Sequence, residues 1–154
     1  MSLQDNFRQA MRSYIYSVSV MSNVDSNGDF SAITVSSVTS VSLDPPSLLV
    51  CINKSAGIHN TIEEGSSFCI NLLNKNQEYI SNLCSSFQTE GKRFNDQDWD
   101  LKNIPFLKSA QANIFCTVDK LISYHTHTIV IGHVTNSFSN KKINTLTYVD
   151  GINQ

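Results

Sequence analysis

Ala32-Ile33-Thr34-Val35-Ser36-Ser37-Val38-Thr39-Ser40-Val41-Ser42-Leu43-Asp44-Pro45-Pro46 is the stretch on which the chain turns. Ile33, Val35, Val41 and Leu43 alternate with Thr34, Ser36, Ser40 and Ser42, the two-residue period of a half-buried strand. Asp44-Pro45-Pro46 then forces a turn, because proline has no N–H to offer a ladder. Hydroxyls along one face supply small, uncharged hydrogen-bonding groups with little bulk. Such a surface suits a flat polar ring better than a metal or a nucleic-acid backbone. A plain solvent-facing strand rich in Ser and Thr has the same pattern, and both readings stand at this point.

With 154 residues the chain has the length of one domain with a real core, so residues 1–154 are read as a single unit. Apolar residues make up 40% and charged residues 16%, values of a globular protein rather than a disordered one. A net charge of −2 gives no basic footprint for nucleic acid. No apolar run approaches the ~20 residues of a membrane helix, and no charged-then-apolar leader opens the sequence. The expectation is a soluble cytoplasmic protein with no membrane partner. Cys51, Cys69, Cys84 and Cys116 form no C-x-x-C pair, and three lie in apolar runs. They read as buried reduced thiols rather than disulfides or metal ligands.

Along the chain, Phe7, Ala10, Met11 and Tyr14 share helical spacing, with Asp5 as the cap, and the stripe is expected to lie on the body of the protein. Strands follow on either side of Asn27-Gly28, the strongest hairpin signal present, the second running from Phe30 to Val38. Leu48 to Ile52 reads as a buried strand, His59 to Glu64 as a short helix ending at Gly65, Phe68 to Leu73 as a strand and Gln77 to Ser86 as a helix. Phe87 to Ile104 is irregular and reads as a loop or lid. Two long strands, Ala110 to Tyr124 and Thr128 to Asn136, precede a last one at Leu146 to Val149. Six or seven strands with two or three short helices favour a mainly β, closed antiparallel barrel, since the helices are too few to cover a parallel sheet.

Asn53-Lys54-Ser55-Ala56-Gly57 follows a buried strand and opens a helix, so it offers backbone N–H groups, a hydroxyl and an ammonium to one anion. A helix cap with an exposed lysine has the same residues. His125-Thr126-His127 places two imidazoles on one side of an extended strand, yet no carboxylate or cysteine sits at ligand spacing, and no metal site is expected. No G-x-S-x-G, Walker loop or G-x-G-x-x-G occurs. Enzymatic chemistry here would come from a bound cofactor.

Thr34-Val35-Ser36-Ser37 through Ser40-Val41-Ser42 to Pro45-Pro46 resembles the signature of the short-chain flavin reductases, the reductase components of two-component flavin monooxygenases, with a Greek-key FMN-binding split β-barrel. Phe7 to Met11 resembles the opening helix of that family, and Leu48 to Ser55 with His59 its second strand and phosphate turn. Glu64-Gly65, Phe68, Asn71 and Leu72 resemble its G-x-F-x-V-N-V-L run, Lys92-Arg93-Phe94 with Trp99 its R-F…W loop, and His127 to Val134 its H-T-x-F-I-G-x-V strand. The likeness spans nearly the whole chain in order.

That resemblance implies an NAD(P)H-dependent flavin reductase passing a hydride from NADH or NADPH to FMN, or FAD, for a partner flavin-dependent monooxygenase. It implies that Thr34, Ser36 and Ser37 hydrogen-bond the edge of the isoalloxazine ring, that Asn53, Lys54 and Ser55 hold the ribityl phosphate, and that Val35, Ser40, Cys51 and His59 are further cofactor-binding residues. His127 borders the nicotinamide side as the catalytic residue. Arg93 and Phe94 close over the site, which the family builds at a homodimer interface. An FMN-binding split-barrel protein that carries electrons without efficient NAD(P)H turnover is the second reading. Departures from the family pattern are Ile58 for a threonine before the histidine, Ser36 for an asparagine, and Arg12 to Ser17 for a glycine-rich run.

Overall fold

The computed structural model describes residues 1–154. Helix α1 (Leu3–Met11) begins in a capping box, in which the Ser2 hydroxyl accepts from the Asp5 N–H and the Asp5 carboxylate accepts from the Ser2 N–H. Ser2 is therefore the cap, and Asp5 is the third helical residue. The apolar stripe does not pack on the body: no residue of α1 is buried, and Phe7 is 65% exposed. The helix is tied down at its C-terminal end, where Arg12 pairs with Asp150 at 2.7 Å.

Strands β1 (Tyr16–Ser17), β2 (Ser19–Val24) and β3 (Phe30–Val35) follow. Between the last two, Gly28 takes a φ of +82° and the Asp25 carboxylate accepts from the N–H groups of Asn27 and Asp29, the hairpin that Asn27-Gly28 leads one to expect. β3 stops at Val35 rather than Val38. After Ser36-Ser37-Val38 the chain resumes as β4 (Thr39–Leu43), turns at Asp44-Pro45, and runs on as β5 (Pro46–Asn53). The helix expected over His59 to Glu64 is a 3-10 helix at Gly57–Thr61, and Gly65 (φ +85°) belongs to the turn into β6 (Ser67–Leu72). Asn74 and Gln77 form a second capping box ahead of α2 (Glu78–Leu83).

The irregular stretch holds a 3-10 helix at Phe87–Lys92 and a short strand, β7 (Trp99–Asp100), which pairs with β8 (Phe106–Leu107) just beyond it. Strands β9 (Ala112–Tyr124) and β10 (His127–Ser139) form the long hairpin, and β11 (Thr147–Val149) and β12 (Ile152–Asn153) join β1 in a small sheet. His125 lies in the hairpin turn with φ +50°, so it is not one strand position of an extended His125-Thr126-His127 pair. No helix is long and apolar enough to cross a membrane.

Seven strands make one antiparallel sheet in the order β3-β2-β6-β9-β10-β5-β4. β3 and β4 are its two edges, yet only Ser36, Ser37 and Val38 separate them in the chain. A flat sheet would hold those edges about 29 Å apart, at ~4.8 Å per strand gap. Four steps of extended chain reach at most about 14 Å. The sheet must curl until its edges face each other.

The curl does not close by a backbone ladder, so the expected closed barrel is an open one in hydrogen-bonding terms. Its seam is filled by a side chain: the Ser37 hydroxyl accepts from the Cys51 N–H (3.1 Å) and donates to the Cys51 carbonyl (3.2 Å). The outer edge of β3 is covered in turn. Thr34 donates from its N–H to the Cys84 carbonyl (3.1 Å) and from its hydroxyl to the Ser81 carbonyl (2.7 Å). An edge so occupied offers no template to another strand.

Inside the curl, Met21, Val50, Ile52, Phe68, Ile70, Val118 and Val130 form the main core. On the opposite face of β2, Val18 and Val20 join Ile80, Cys84, Trp99, Leu107 and Leu146 in a second core beneath α2 and the β7–β8 segment. All four cysteines are free, and three of them are buried. Gly132 lies where β10 crosses the main core, and a Cβ there would stand 2.8 Å from the Phe68 ring and 3.0 Å from Cβ of Cys116. Gly132→Ala is expected to lower stability by about 1–3 kcal/mol through overpacking, seen as a lower denaturant midpoint with an unchanged slope.

Candidate functional site

A groove of about 290 Å³ opens at the seam, between the end of β3 and the end of β5. It gathers Thr34, Val35, Ser36 and Ser37 from one side, and Cys51, Asn53 and His127 from the other. Asn53 and His127 are direct partners in the β5–β10 register and so stand side by side. The His127 ring is oriented through Nδ1, 2.8 Å from the Thr126 hydroxyl. The walls are apolar (Ile33, Val35, Ile52), and the lining holds no carboxylate, lysine or arginine. The backbone N–H groups of Ser36, Ser37 and Val38 find no acceptor within the chain. Neutral donors over apolar walls suit a flat, uncharged, polar ring.

Other candidate residues lie elsewhere. Ser40 is exposed on β4, opposite Leu48, and outside the groove. Lys54 and His59 line a separate cavity of about 270 Å³ with Leu121, Ser123, Thr128 and Val130. There the Lys54 ammonium donates to the Ser123 hydroxyl (2.5 Å), and His59 Nε2 lies 2.8 Å from the Thr128 hydroxyl. Thr128 is one register step from the Asn53–His127 pair, and one step along a strand changes the face. Ser55 donates from both its N–H and its hydroxyl to Asn53 Oδ1 (2.9 and 2.8 Å), tying the turn together.

Arg93 and Phe94 do not reach the groove of their own chain. The Arg93 guanidinium donates to the carbonyls of Leu83 (3.2 Å), Ser86 (3.0 Å) and Ala32, which clamps the segment after α2 onto β3. Phe94 packs between Phe30 and Trp99, with ring centroids 5.5 and 4.7 Å away.

A larger cavity, about 430 Å³, shares Thr34, Val35 and Ser36 with the groove and escaped the sequence reading. Glu78, Ser81, Asn82 and Ser85 line it from α2 and its end, and Tyr148 and Asn153 from the C-terminal hairpin. The signal was present: those four polar residues recur at i, i+3, i+4 and i+7, one helical face. Attention to the apolar face of the same helix, Ile80 and Cys84, hid it.

The family model described as "Flavin reductase like domain" matches residues 11–152. The chain belongs to the flavin reductase family. Within it, the FMN reductase (NADH) RutF of Pseudomonas syringae is 33% identical over 132 residues, 84% of this chain and 74% of that protein. The reductase component of the FADH(2)-dependent resorcinol hydroxylase of a Rhizobium species is 33% identical over 147 residues, 93% of this chain and 82% of that one. The flavin reductase of the styrene monooxygenase from Pseudomonas putida superposes with a TM-score of 0.83 at 27% identity, over 97% of this chain and 96% of that one. Against a longer Rhizobium meliloti relative the chain spans about half the length, 46%.

Cysteines divide the same way as the cores. Burial pushes the Cys84 thiol up to about 11 and the Cys116 thiol up to about 12, and raises Cys69 further, with Cys116 beside it adding to the effect. Each holds its proton more tightly folded than unfolded, so the three add stability below pH 9 that fades as pH rises toward 12. At neutral pH a thiol reagent added to the native protein is expected to modify Cys51 first, the half-buried thiol in the groove. Peptide mapping after brief labelling reads this directly.

Proposed function

We propose that this chain is one flavin-binding domain acting as an NAD(P)H-dependent flavin reductase on FMN or FAD, an NAD(P)H:flavin oxidoreductase that supplies reduced flavin to a partner oxygenase. The observation that carries the reading is the seam groove, where Thr34, Val35, Ser36, Ser37, Cys51, Asn53 and His127 converge from three strands. Relatives named as an NADH-dependent FMN reductase and as a hydroxylase reductase component support the activity and the kind of partner. The curled sheet is read as the split barrel of the family, its seam being the flavin edge.

Flavin bound there supplies the ring that accepts a hydride from the nicotinamide nucleotide. The protein's own residues bind and orient. Ser36 and the free N–H groups of Ser36 to Val38 hold the polar edge of the ring, Val35 and Cys51 its apolar body, and Thr34 offers the remaining lone pairs of a hydroxyl already fixed on Ser81. The Asn53-to-Gly57 turn takes the phosphate end. The exposed Lys54 stem is long enough for its ammonium to leave Ser123 and meet that phosphate. His59 braces the turn through Thr128, and Arg93 and Phe94 fix the segment beside it. His127 bounds the face on which the nicotinamide lies. Such a site lowers the barrier by alignment rather than by a catalytic acid.

A homodimer completes this proposal. The outer face of β5, β10 and β9 leaves Leu49, Ile129 and Ile131 half-buried and Ile122 and Tyr124 exposed, whereas the outer face of β2 and β6 is covered by the second core. A second copy would cover the bare half.

Steady-state oxidation of NADH with and without added FMN tests the reading. Flavin binding without nucleotide turnover would leave the electron-carrier alternative in its place. Lys54→Ala is expected to weaken FMN about tenfold or more, the loss of one charge-assisted hydrogen bond, and riboflavin hardly at all; equal losses remove Lys54 from the phosphate. His127→Ala is expected to lower kcat/KM on the order of tenfold to a hundredfold through misalignment, with FMN affinity measured by fluorescence unchanged.

A further inference from the structure

We propose that the cavity of about 430 Å³ beside the groove takes the adenosine ribose of the nicotinamide nucleotide, and that Glu78 makes this chain selective for NADH over NADPH. The inference rests on the reductase reading and adds to it the residue that chooses the hydride donor.

Cavity and groove meet over Thr34, Val35 and Ser36, so one molecule lying across that edge reaches from one space into the other. Their chemistries differ. The groove is neutral, whereas the larger cavity carries one carboxylate among hydroxyls and amides, and no lysine, arginine or histidine lines it. Glu78 takes part in none of the salt bridges of the chain. Glu78 is an exposed residue of the lining whose carboxylate accepts from no group within the chain, on the same helical face as Ser81, Asn82 and Ser85.

A vicinal diol is the matching partner, because two hydroxyls donate to one carboxylate. Dinucleotide sites on an unrelated fold solve the same problem with an acidic residue on the ribose 2′-hydroxyl. A 2′-phosphate would instead set a dianion against Glu78 with no cation to offset it. Two like charges about 4 Å apart repel even in bulk water, and more strongly near a protein surface. A dianion doubles that, which is a discrimination of at least about tenfold. The same repulsion keeps the flavin phosphate out of this cavity and leaves it to the Asn53-to-Gly57 turn. Tyr148 supplies an aromatic surface for the attached base.

The test compares the wild type with Glu78→Gln and Glu78→Lys, using NADH and NADPH in steady state with saturating FMN. Affinities of both nucleotides for the flavin-free protein are read in parallel from their own fluorescence. The wild type is expected to favour NADH by at least about tenfold in kcat/KM and in affinity. Glu78→Gln should narrow both ratios by a similar factor, and Glu78→Lys should move them toward NADPH. Unfolding midpoints check that the variants fold. Equal use of the two nucleotides by the wild type overturns the proposal, as does a ratio unmoved in both variants. So does a shift in FMN against FAD preference in place of the nucleotide ratio, since the adenosine of FAD also carries a free diol. If both nucleotides bind in the expected ratio and neither is oxidised, the role of Glu78 stands and the reductase reading falls.

Discussion

Ser36, Ser37 and Val38 join the two edge strands of a seven-stranded sheet, and this short tether governs the rest of the structure. Three residues cannot bridge a flat sheet of that width. The sheet has to roll up, and rolling creates an inside, where Met21, Val50, Phe68 and Val130 are removed from water. It also creates a seam where the rolled edges approach without a continuous ladder. Backbone groups at the seam lack strand partners, and the Ser37 hydroxyl occupies those of Cys51.

The groove follows from the incompleteness of that seam. A fully paired barrel would have no free N–H groups at Ser36 to Val38 and no groove between β3 and β5. The open edge provides neutral donors above apolar walls, and the Asn53–His127 register pair closes one end. On the proposed reading, stability and binding draw on the same residues with different atoms. Thr34 and Ser37 spend their hydroxyls mainly on the fold, while Ser36 and Asn53 Nδ2 remain unpartnered. Small side chains at these positions suit both tasks, since bulk would fill the groove.

Much of this was legible in the sequence, and the legible part was local. Two-residue alternation marked β3 and β4 as strands, although β4 is exposed along its whole length rather than half-buried; Asn27-Gly28 marked a hairpin, and an uninterrupted apolar run marked β5. The ordered likeness from Phe7 to Val134 pointed to the flavin reductase family that the family comparison establishes. Less legible were features decided by partners distant in the chain. The α1 stripe has the pattern of a packed helix, but nothing in its own residues says whether a surface lies opposite, and here none does. Asp5 looked like a cap because it heads the stripe, and the reciprocal bond with Ser2 makes it the third helical residue instead. Arg93, which the family resemblance places over the site, spends its guanidinium on three carbonyls within its own chain, contacts with residues that no short window around it contains.

What the sequence determined by itself was the kind of fold and the stretches that line the candidate groove, because periodicity, turn residues and short motifs act over a few residues. Only the tertiary structure decided which of those residues share a surface. Asn53 and Lys54 are adjacent in the chain, yet Asn53 lines the seam groove and Lys54 the separate cavity with Ser123 and Thr128, because β5 ends at Asn53 and the chain turns there. Glu78 and Tyr148, seventy residues apart, meet in one cavity because the C-terminal hairpin folds back beside α2. Side-chain direction and long-range closure depend on the curled sheet as a whole, and no window of sequence contains them.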